Sequence, residues 1–229
     1  MEKPVREILD RLAVRLEDRA MPGSAKGMSV TWKPDPFKTL ISTVLSQRNR
    51  DESTYTASRR LFDIYDTPEK LASAPLEDVE ELIRPVNFHI GKAKAIIEIS
   101  RILIEKHGGE VPRTVEELDA LPLVGRKTAT CVLSYAYDLD YICVDTHVHR
   151  ISNRIGLVNT RTPERTEEEL EKVVPRDLWR SVNELLVRFG QEICTPLRPK
   201  HDICPIREFC DLYMEEQGSH DTTNGSRSS

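Results

Sequence analysis

"LDALPLVGRKTATCVLSYAY", residues 118–137, decides how the rest of the chain reads. A helix ends at Leu121, a Pro-x-x-Gly turn follows, and a second helix begins near Arg126. A tight turn between two short helices leaves backbone N–H groups pointing outward at a helix N-terminus. Such a turn suits one phosphate of a nucleic-acid backbone, with Leu123, Gly125 and Arg126 as the candidate contacts. The same pattern also serves as an ordinary helical hairpin. Lys127 falls in the first turn of the second helix, where the helix dipole disfavours a positive charge. An amine so placed loses its proton more easily, and only the neutral amine is a nucleophile. The alternative is a solvated surface lysine.

Outward from this stretch almost every segment carries a helical period. In "GKAKAIIEISRILIEKHGG", Ala93, Ile96, Ile97, Ser100, Leu103 and Ile104 recur at three- and four-residue steps, with Gly108 as the stop. "VREILDRLAVRLE" repeats the period through Val5, Ile8, Leu9, Leu12 and Leu16. Thr67 followed by Pro68 reads as an N-cap with proline at the first helical position. Thr114 with Glu117 reads as a capping box. "TEEELEKVV" and "WRSVNELLVRFG" add two more helices, and the only extended run is "YICV" at 141–144. These patterns predict an all-α fold of about ten helices joined by short turns. The tail "SHDTTNGSRSS" lacks apolar residues and is predicted to be disordered.

The chain has 229 residues, enough for one large or two small domains. Apolar content of 38% beside 31% charge is that of a globular protein. No segment approaches the apolar run of roughly 18 residues that spans a bilayer, so no membrane partner is expected. The start, "MEKPVREILDRL", is acidic and amphipathic rather than a signal peptide, which predicts a cytoplasmic, nucleoid-associated protein with reduced thiols. On that basis the five cysteines are read as ligands or core residues rather than disulfides. A net charge of −5 argues mildly against a nucleic-acid partner, although a local basic face can bind phosphates on an acidic protein.

Two further stretches carry chemistry. In "YICVDTHVHRISNRIG", Asp145 ends the extended run and begins a helix that Gly156 closes. An N-cap role is a sufficient reason for an aspartate here. A capped carboxylate also stays ionised and can stabilise a developing cation. His147 and His149 follow, each readable as a packing or surface residue. In "CTPLRPKHDICPIREFC", residues 194–210, Cys194, His201, Cys204 and Cys210 are separated by six, two and five residues. Three cysteines among prolines and charged residues read as a stiff loop around a metal, because unliganded cysteines prefer the core. Cys131 and Cys143 lie in apolar runs and read as core.

Taken together, these motifs resemble the endonuclease III branch of the helix-hairpin-helix DNA glycosylases. "LPLVGRKTA" is similar to the family hairpin and "VDTHVHR" to its catalytic aspartate motif. "VLSQRNRD" and "VNFHIGKAKAII" resemble two loops that enter DNA, and "FGQEIC…CPIREFC" the iron–sulfur loop. The resemblance covers roughly residues 5 to 213. It implies a monomeric, two-lobed helical protein with double-stranded DNA bound across a cleft. One lobe, 36–139, would be a six-helix barrel carrying the hairpin. The other would combine 1–35 with 140–215, including the cluster loop 194–210, and leave 216–229 as a disordered tail.

By family role, Lys127 attacks C1′ of a damaged, flipped-out pyrimidine nucleotide and forms a Schiff base. Asp145 stabilises the cationic sugar or assists proton transfer, and β-elimination then cleaves the strand. Arg48 stands where the family has a gap-filling glutamine, Phe88 where it has an apolar wedge, and His147 matches a family histidine near the gap. Phe88 is equally readable as core. The family usually has glycine at the position of Leu123, and a leucine is expected to keep a conventional φ and alter the phosphate-binding geometry slightly.

The family's loop holds four cysteines, and His201 replaces the second. The expected cofactor is a [4Fe–4S] cluster with three cysteines and one histidine. A Zn2+ ion on the same four residues and a metal-free loop are the alternatives. Arg198, Lys200 and Arg207 would give this loop a basic face able to approach phosphates. The expected activity is a bifunctional DNA glycosylase and abasic-site lyase acting on oxidised pyrimidines. A thymine or uracil mismatch glycosylase and a catalytically silent damage-binding protein are the alternatives.

Overall fold

The computed structural model describes residues 3–17, 35–49 and 51–224, with side chains as far as residue 218. Every regular element among these is a helix, and the run 141–144 is extended without strand pairing. In chain order the helices are α1 (Val5–Glu17), α2 (Pro36–Ser46), α3 (Asp51–Phe62), α4 (Pro68–Ala72), α5 (Leu76–Leu82) and α6 (His89–His107). They continue with α7 (Val115–Asp119), α8 (Arg126–Tyr137), α9 (Thr146–Ile155), α10 (Pro163–Val173), α11 (Trp179–Glu192) and α12 (Asp211–Asn224). No helix among the described residues is long and apolar enough to cross a membrane.

The chain divides into two compact units, Ala20–Tyr141 and the pair Met1–Arg19 with Ile142–Ser229. The first contains α2 to α8 around one apolar core. The long α6 packs against α2, α4 and α5, and α2 packs on α8. Ala93, Ile96, Ile97, Ser100 and Leu103 are buried as the period predicts, but Ile104 is exposed, at the margin of the stripe. The buried Ser100 hydroxyl donates to the Ile96 carbonyl at 2.8 Å, which satisfies it inside the helix. Lys92, one turn before Ile96 on the same face, is also buried.

Local signals set the helix ends. Thr67 accepts the Lys70 N–H with Pro68 behind it. Thr114 accepts the Glu117 N–H, and its hydroxyl donates to the Glu117 carboxylate at 2.6 Å. α7 ends at Asp119, two residues before the expected Leu121.

In the second unit α1 buries Val5, Ile8, Leu9, Leu12 and Leu16 in a core shared with residues of α9, α10 and α11. Gly156 closes α9 at φ 81°. The positive φ favours glycine, and a Cβ there would also meet the Asp211 carboxylate, which would have to turn aside. Gly190 of α11 lets α9 approach closely: its Cβ would meet His147 Nδ1 at 2.6 Å and Ile151 Cδ1 at 2.8 Å.

Two expectations need correction here. α12 runs to Asn224, so 216–224 of the expected disordered tail are helical. A turn already nucleated at Asp211 can propagate through polar residues that would not start a helix alone. Residues 225–229, and 1–2 and 18–34 of the expected second lobe, lie outside the described residues. Cys131 and Cys143 are buried as read, but each is disulfide-bonded rather than reduced. The compartment argument concerns thiols that reductants can reach, and burial shields these.

Candidate nucleic-acid interface and catalytic residues

The hairpin turn between α7 and α8 is anchored by buried Leu121 and Val124, whose backbones pair at 3.1 Å, while Leu123 between them is half exposed. Leu123 has φ 58°, in the left-handed region. The expectation of a conventional φ is thus overturned, and the turn keeps the shape a glycine would give it. A non-glycine residue there costs about 1–2 kcal/mol. The Gln47 side chain supplies a compensating bond, donating to the Leu123 carbonyl at 2.7 Å and approaching Thr128 Oγ1 at 3.2 Å. Gly125 is the N-cap of α8 and makes no side-chain capping bond. Arg126 and Lys127 in that first turn are both exposed.

Two more loops of the same unit carry non-glycine residues at positive φ, Arg48 at 55° and Phe88 at 58°. Arg48 is exposed, and Phe88 has 66% of its surface in solvent, which removes the core reading of its ring. Polar bonds lace these loops together. The Asn87 N–H donates to Asn49 Oδ1 at 2.7 Å, and Asn87 Nδ2 donates to the Arg48 carbonyl at 2.8 Å. Lys92 Nζ donates to the carbonyls of Leu45 and Gln47 at 2.8 and 2.7 Å, at the C-terminal end of α2 where a cation is favoured. Burial pushes the Lys92 ammonium down from 10.5 to about 8.

Gln47, Asn49, Asn87 and Lys92 did not emerge from the sequence as site residues. The signal that could have found Lys92 is its phase, since it occupies an apolar-face position four residues before Ile96.

Asp145, in the other unit, is half-buried and caps α9. One carboxylate oxygen accepts the N–H groups of His147 and Val148, each at 2.9 Å. His147 is half-buried, with Nδ1 3.2 Å from Arg150 Nη2. His149 serves packing: its Nδ1 lies 2.6 Å from Thr166 Oγ1.

Cys194, His201, Cys204 and Cys210 all line one recess, together with Ile155, Phe189 and Ile206. Burial pushes the Cys204 thiol up to about 11, with a smaller upward push from nearby Cys210 and Cys194. Arg154 Nη1 lies 3.4 Å from Cys194 Sγ and donates to the Thr195 carbonyl at 2.9 Å. Three thiols gathered in one recess with a guanidinium on one sulfur form a donor set that suits a cluster needing thiolate ligands. Among the described residues no three His, Cys, Asp or Glu side chains converge closely enough for a single metal ion. His201 Nε2 is 3.0 Å from Glu216 Oε2, off the line of a hydrogen bond. Arg198, Lys200 and Arg207 are exposed.

Comparison with known proteins matches these features. Residues 41–176 match the family model of the HhH-GPD superfamily of base excision DNA repair proteins, and residues 194–210 match the iron–sulfur binding domain of endonuclease III. Endonuclease III of Thermotoga maritima is 54% identical over 179 residues, which is 78% of this chain and 84% of that protein. The chloroplastic endonuclease III homolog 2 of Arabidopsis thaliana is 42% identical over 80% of this chain, which spans half of that longer protein. Among solved structures, a trapped endonuclease III–DNA covalent intermediate superposes with a TM-score of 0.81 at 33% identity, covering 93% of this chain and 97% of that one. A thermostable thymine-DNA glycosylase superposes at 0.78 with 25% identity, covering 92% of this chain and 95% of that one.

Proposed function

The chain belongs to the HhH-GPD superfamily of base excision DNA repair proteins, in its endonuclease III branch, and from that premise we propose that it is a bifunctional DNA glycosylase and abasic-site lyase. The glycosylase class follows from the family. The lyase step rests on Lys127, an exposed residue in the first turn of the helix that follows the hairpin turn. The similarity to a chain solved as a covalent DNA intermediate supports a nucleophile of this kind.

In the proposed reaction the neutral Lys127 amine attacks C1′ of a nucleotide bearing an oxidised pyrimidine. The C1′–N bond breaks, the base leaves with the electron pair and takes up a proton, and the sugar opens to an imine with Lys127. Loss of a C2′ proton then expels the 3′ phosphate by β-elimination, and water releases the lysine. The Asp145 carboxylate stabilises positive charge on the sugar as the base departs. The hairpin residues Leu123, Gly125 and Arg126 hold a backbone phosphate, Arg48 and Phe88 enter the duplex at the flipped nucleotide, and His147 lies near the gap.

The 194–210 loop would hold a [4Fe–4S] cluster through Cys194, Cys204, Cys210 and His201. His201 would supply one ring nitrogen to it. When bound, the cluster cross-links a loop that presents Arg198, Lys200 and Arg207 to phosphates.

Lys127→Ala should abolish borohydride trapping to abasic DNA while leaving duplex affinity within about threefold. Trapping at the wild-type level in that variant would remove Lys127 from the role. A second reading, thymine or uracil mismatch repair, is favoured by the likeness to the thymine-DNA glycosylase. A panel of lesion-bearing duplexes, scored separately for base release and strand cleavage, separates the two.

A further inference from the structure

Among the described residues of the Ala20–Tyr141 unit four non-glycine residues have positive φ; Asp138 ends α8, and the other three, Arg48, Phe88 and Leu123, each lie in a separate loop. One residue touches two of these loops directly and the third through a single intermediary. The Lys92 backbone N–H donates to the Phe88 carbonyl at 3.0 Å, closing the first turn of α6. Its side chain runs inward, 3% exposed as a residue, and its amine grips the carbonyls of Leu45 and Gln47 immediately before Arg48. Gln47 in turn reaches the Leu123 carbonyl. Asn49 shares the Leu45 carbonyl at 2.6 Å and accepts from the Asn87 backbone, so the first two loops are tied on a second path.

A buried ammonium with carbonyl acceptors is costly to move, because every displacement strands a charge or a carbonyl. We propose that Lys92 is a positioning residue that fixes the Arg48 loop, the Phe88 loop and the Leu123 turn as one preset surface, so that duplex entry is prepared before DNA arrives. It touches no DNA itself. Its effect passes through Phe88 and Arg48, and the inference therefore rests on the reading of those side chains as the ones that enter the duplex. Preset loops spare the ordering cost that flexible ones incur at each encounter, which places the benefit in affinity and insertion rather than in bond cleavage.

The test uses the full chain and a duplex carrying a tetrahydrofuran abasic analogue beside 2-aminopurine, whose fluorescence rises when it is unstacked. Wild type, Lys92→Met, Phe88→Ala and the double variant are compared, with near-ultraviolet circular dichroism to establish folding. Lys92→Met is expected to weaken binding about tenfold and to remove most of the fluorescence rise. Borohydride trapping to a single-stranded abasic oligonucleotide, which needs no duplex entry, is expected to fall by less than duplex binding does. In the Phe88→Ala background the Lys92 substitution should add little. Gln47→Met, which keeps the buried amine and cuts the link to Leu123, should give a smaller loss in the same direction and serves if Lys92→Met does not fold.

A wild-type fluorescence rise in Lys92→Met overturns the inference, as do losses that multiply in the double variant or a parallel fall in single-strand trapping. If Lys92→Met does not fold, a wild-type rise in Gln47→Met does the same. If Phe88→Ala alone leaves the fluorescence rise intact, the duplex-entry reading fails first and takes this inference with it. An intact Lys92→Met beside an impaired Phe88→Ala sinks only the inference.

Discussion

Replacing Asp145 by asparagine and by alanine separates two jobs done by one carboxylate. A single oxygen accepts from the N–H groups of His147 and Val148 at 2.9 Å. An asparagine carbonyl can take both bonds and lacks only the charge. Alanine leaves both donors without an acceptor, and Val148 is fully buried, so water cannot easily replace the cap there. Loss of an N-cap costs about 0.5–2 kcal/mol, and a buried donor left unsatisfied about 1–3 kcal/mol. These overlap, because the same bonds are counted in both, and the expected loss for Asp145→Ala is about 2 kcal/mol. Asp145→Asn should lose only the charge–dipole contribution, about 0.3–1 kcal/mol.

Urea denaturation followed by circular dichroism reads the difference as a shift in midpoint at constant slope. In heat the alanine variant should melt about 4–8 °C lower, taking about 2–4 °C per kcal/mol for a chain of this size. Base release should fall steeply in both variants if the charge stabilises the sugar cation. Equal destabilisation by Asn and Ala would refute the capping account. Wild-type base release by the Asn variant would refute the catalytic one.

Lys92 gives a signed pH dependence. Its folded value of about 8 lies below the ordinary 10.5, so between these limits the unfolded chain binds the extra proton and stability rises with pH. The relief approaches about 3 kcal/mol above pH 10.5 and is lost as pH falls through 8. Lys92→Met should flatten that slope in urea titrations between pH 8 and 10.5, and an unchanged slope would contradict the buried-amine account. Gly156→Ala places a Cβ at a positive φ and turns the Asp211 carboxylate aside, and should cost about 1–2 kcal/mol, read as a lower urea midpoint. Freshly purified protein should show broad visible absorbance with about four irons per chain and little zinc, and Cys204→Ser should bleach it. Stoichiometric zinc without absorbance would favour the single-ion alternative.

What the sequence made legible was what local chemistry decides. Thr67–Pro68, Thr114 with Glu117, Asp145 and Gly156 each mark a helix end through bonds made within a few residues, and each stands where it was read. The hairpin and the 194–210 loop were legible because residue type and spacing together carry the motif. The misses share a different cause. Leu123 takes a glycine's conformation while Gln47, 76 positions away, donates to its carbonyl. Lys92 is tied to the Arg48 loop through carbonyls 45 to 47 positions away. Residue type alone argued against both. The disulfide state of Cys131 and Cys143 was missed because it was inferred from surroundings rather than from geometry.

The partnership of α1 with the distant half of the chain bears on the order of events during synthesis. Arg188 of α11 donates to the Leu16 carbonyl across 172 positions, and the two helices share one core. At about 5–20 residues per second a ribosome needs roughly 10–35 s to supply that partner. Throughout that interval Ile8, Leu9, Leu12 and Leu16 have no native surface to cover them, while Ala20–Tyr141 can already close on itself. α1 is therefore made long before it can dock, and its apolar stripe is where a holdase would find a long-lived target.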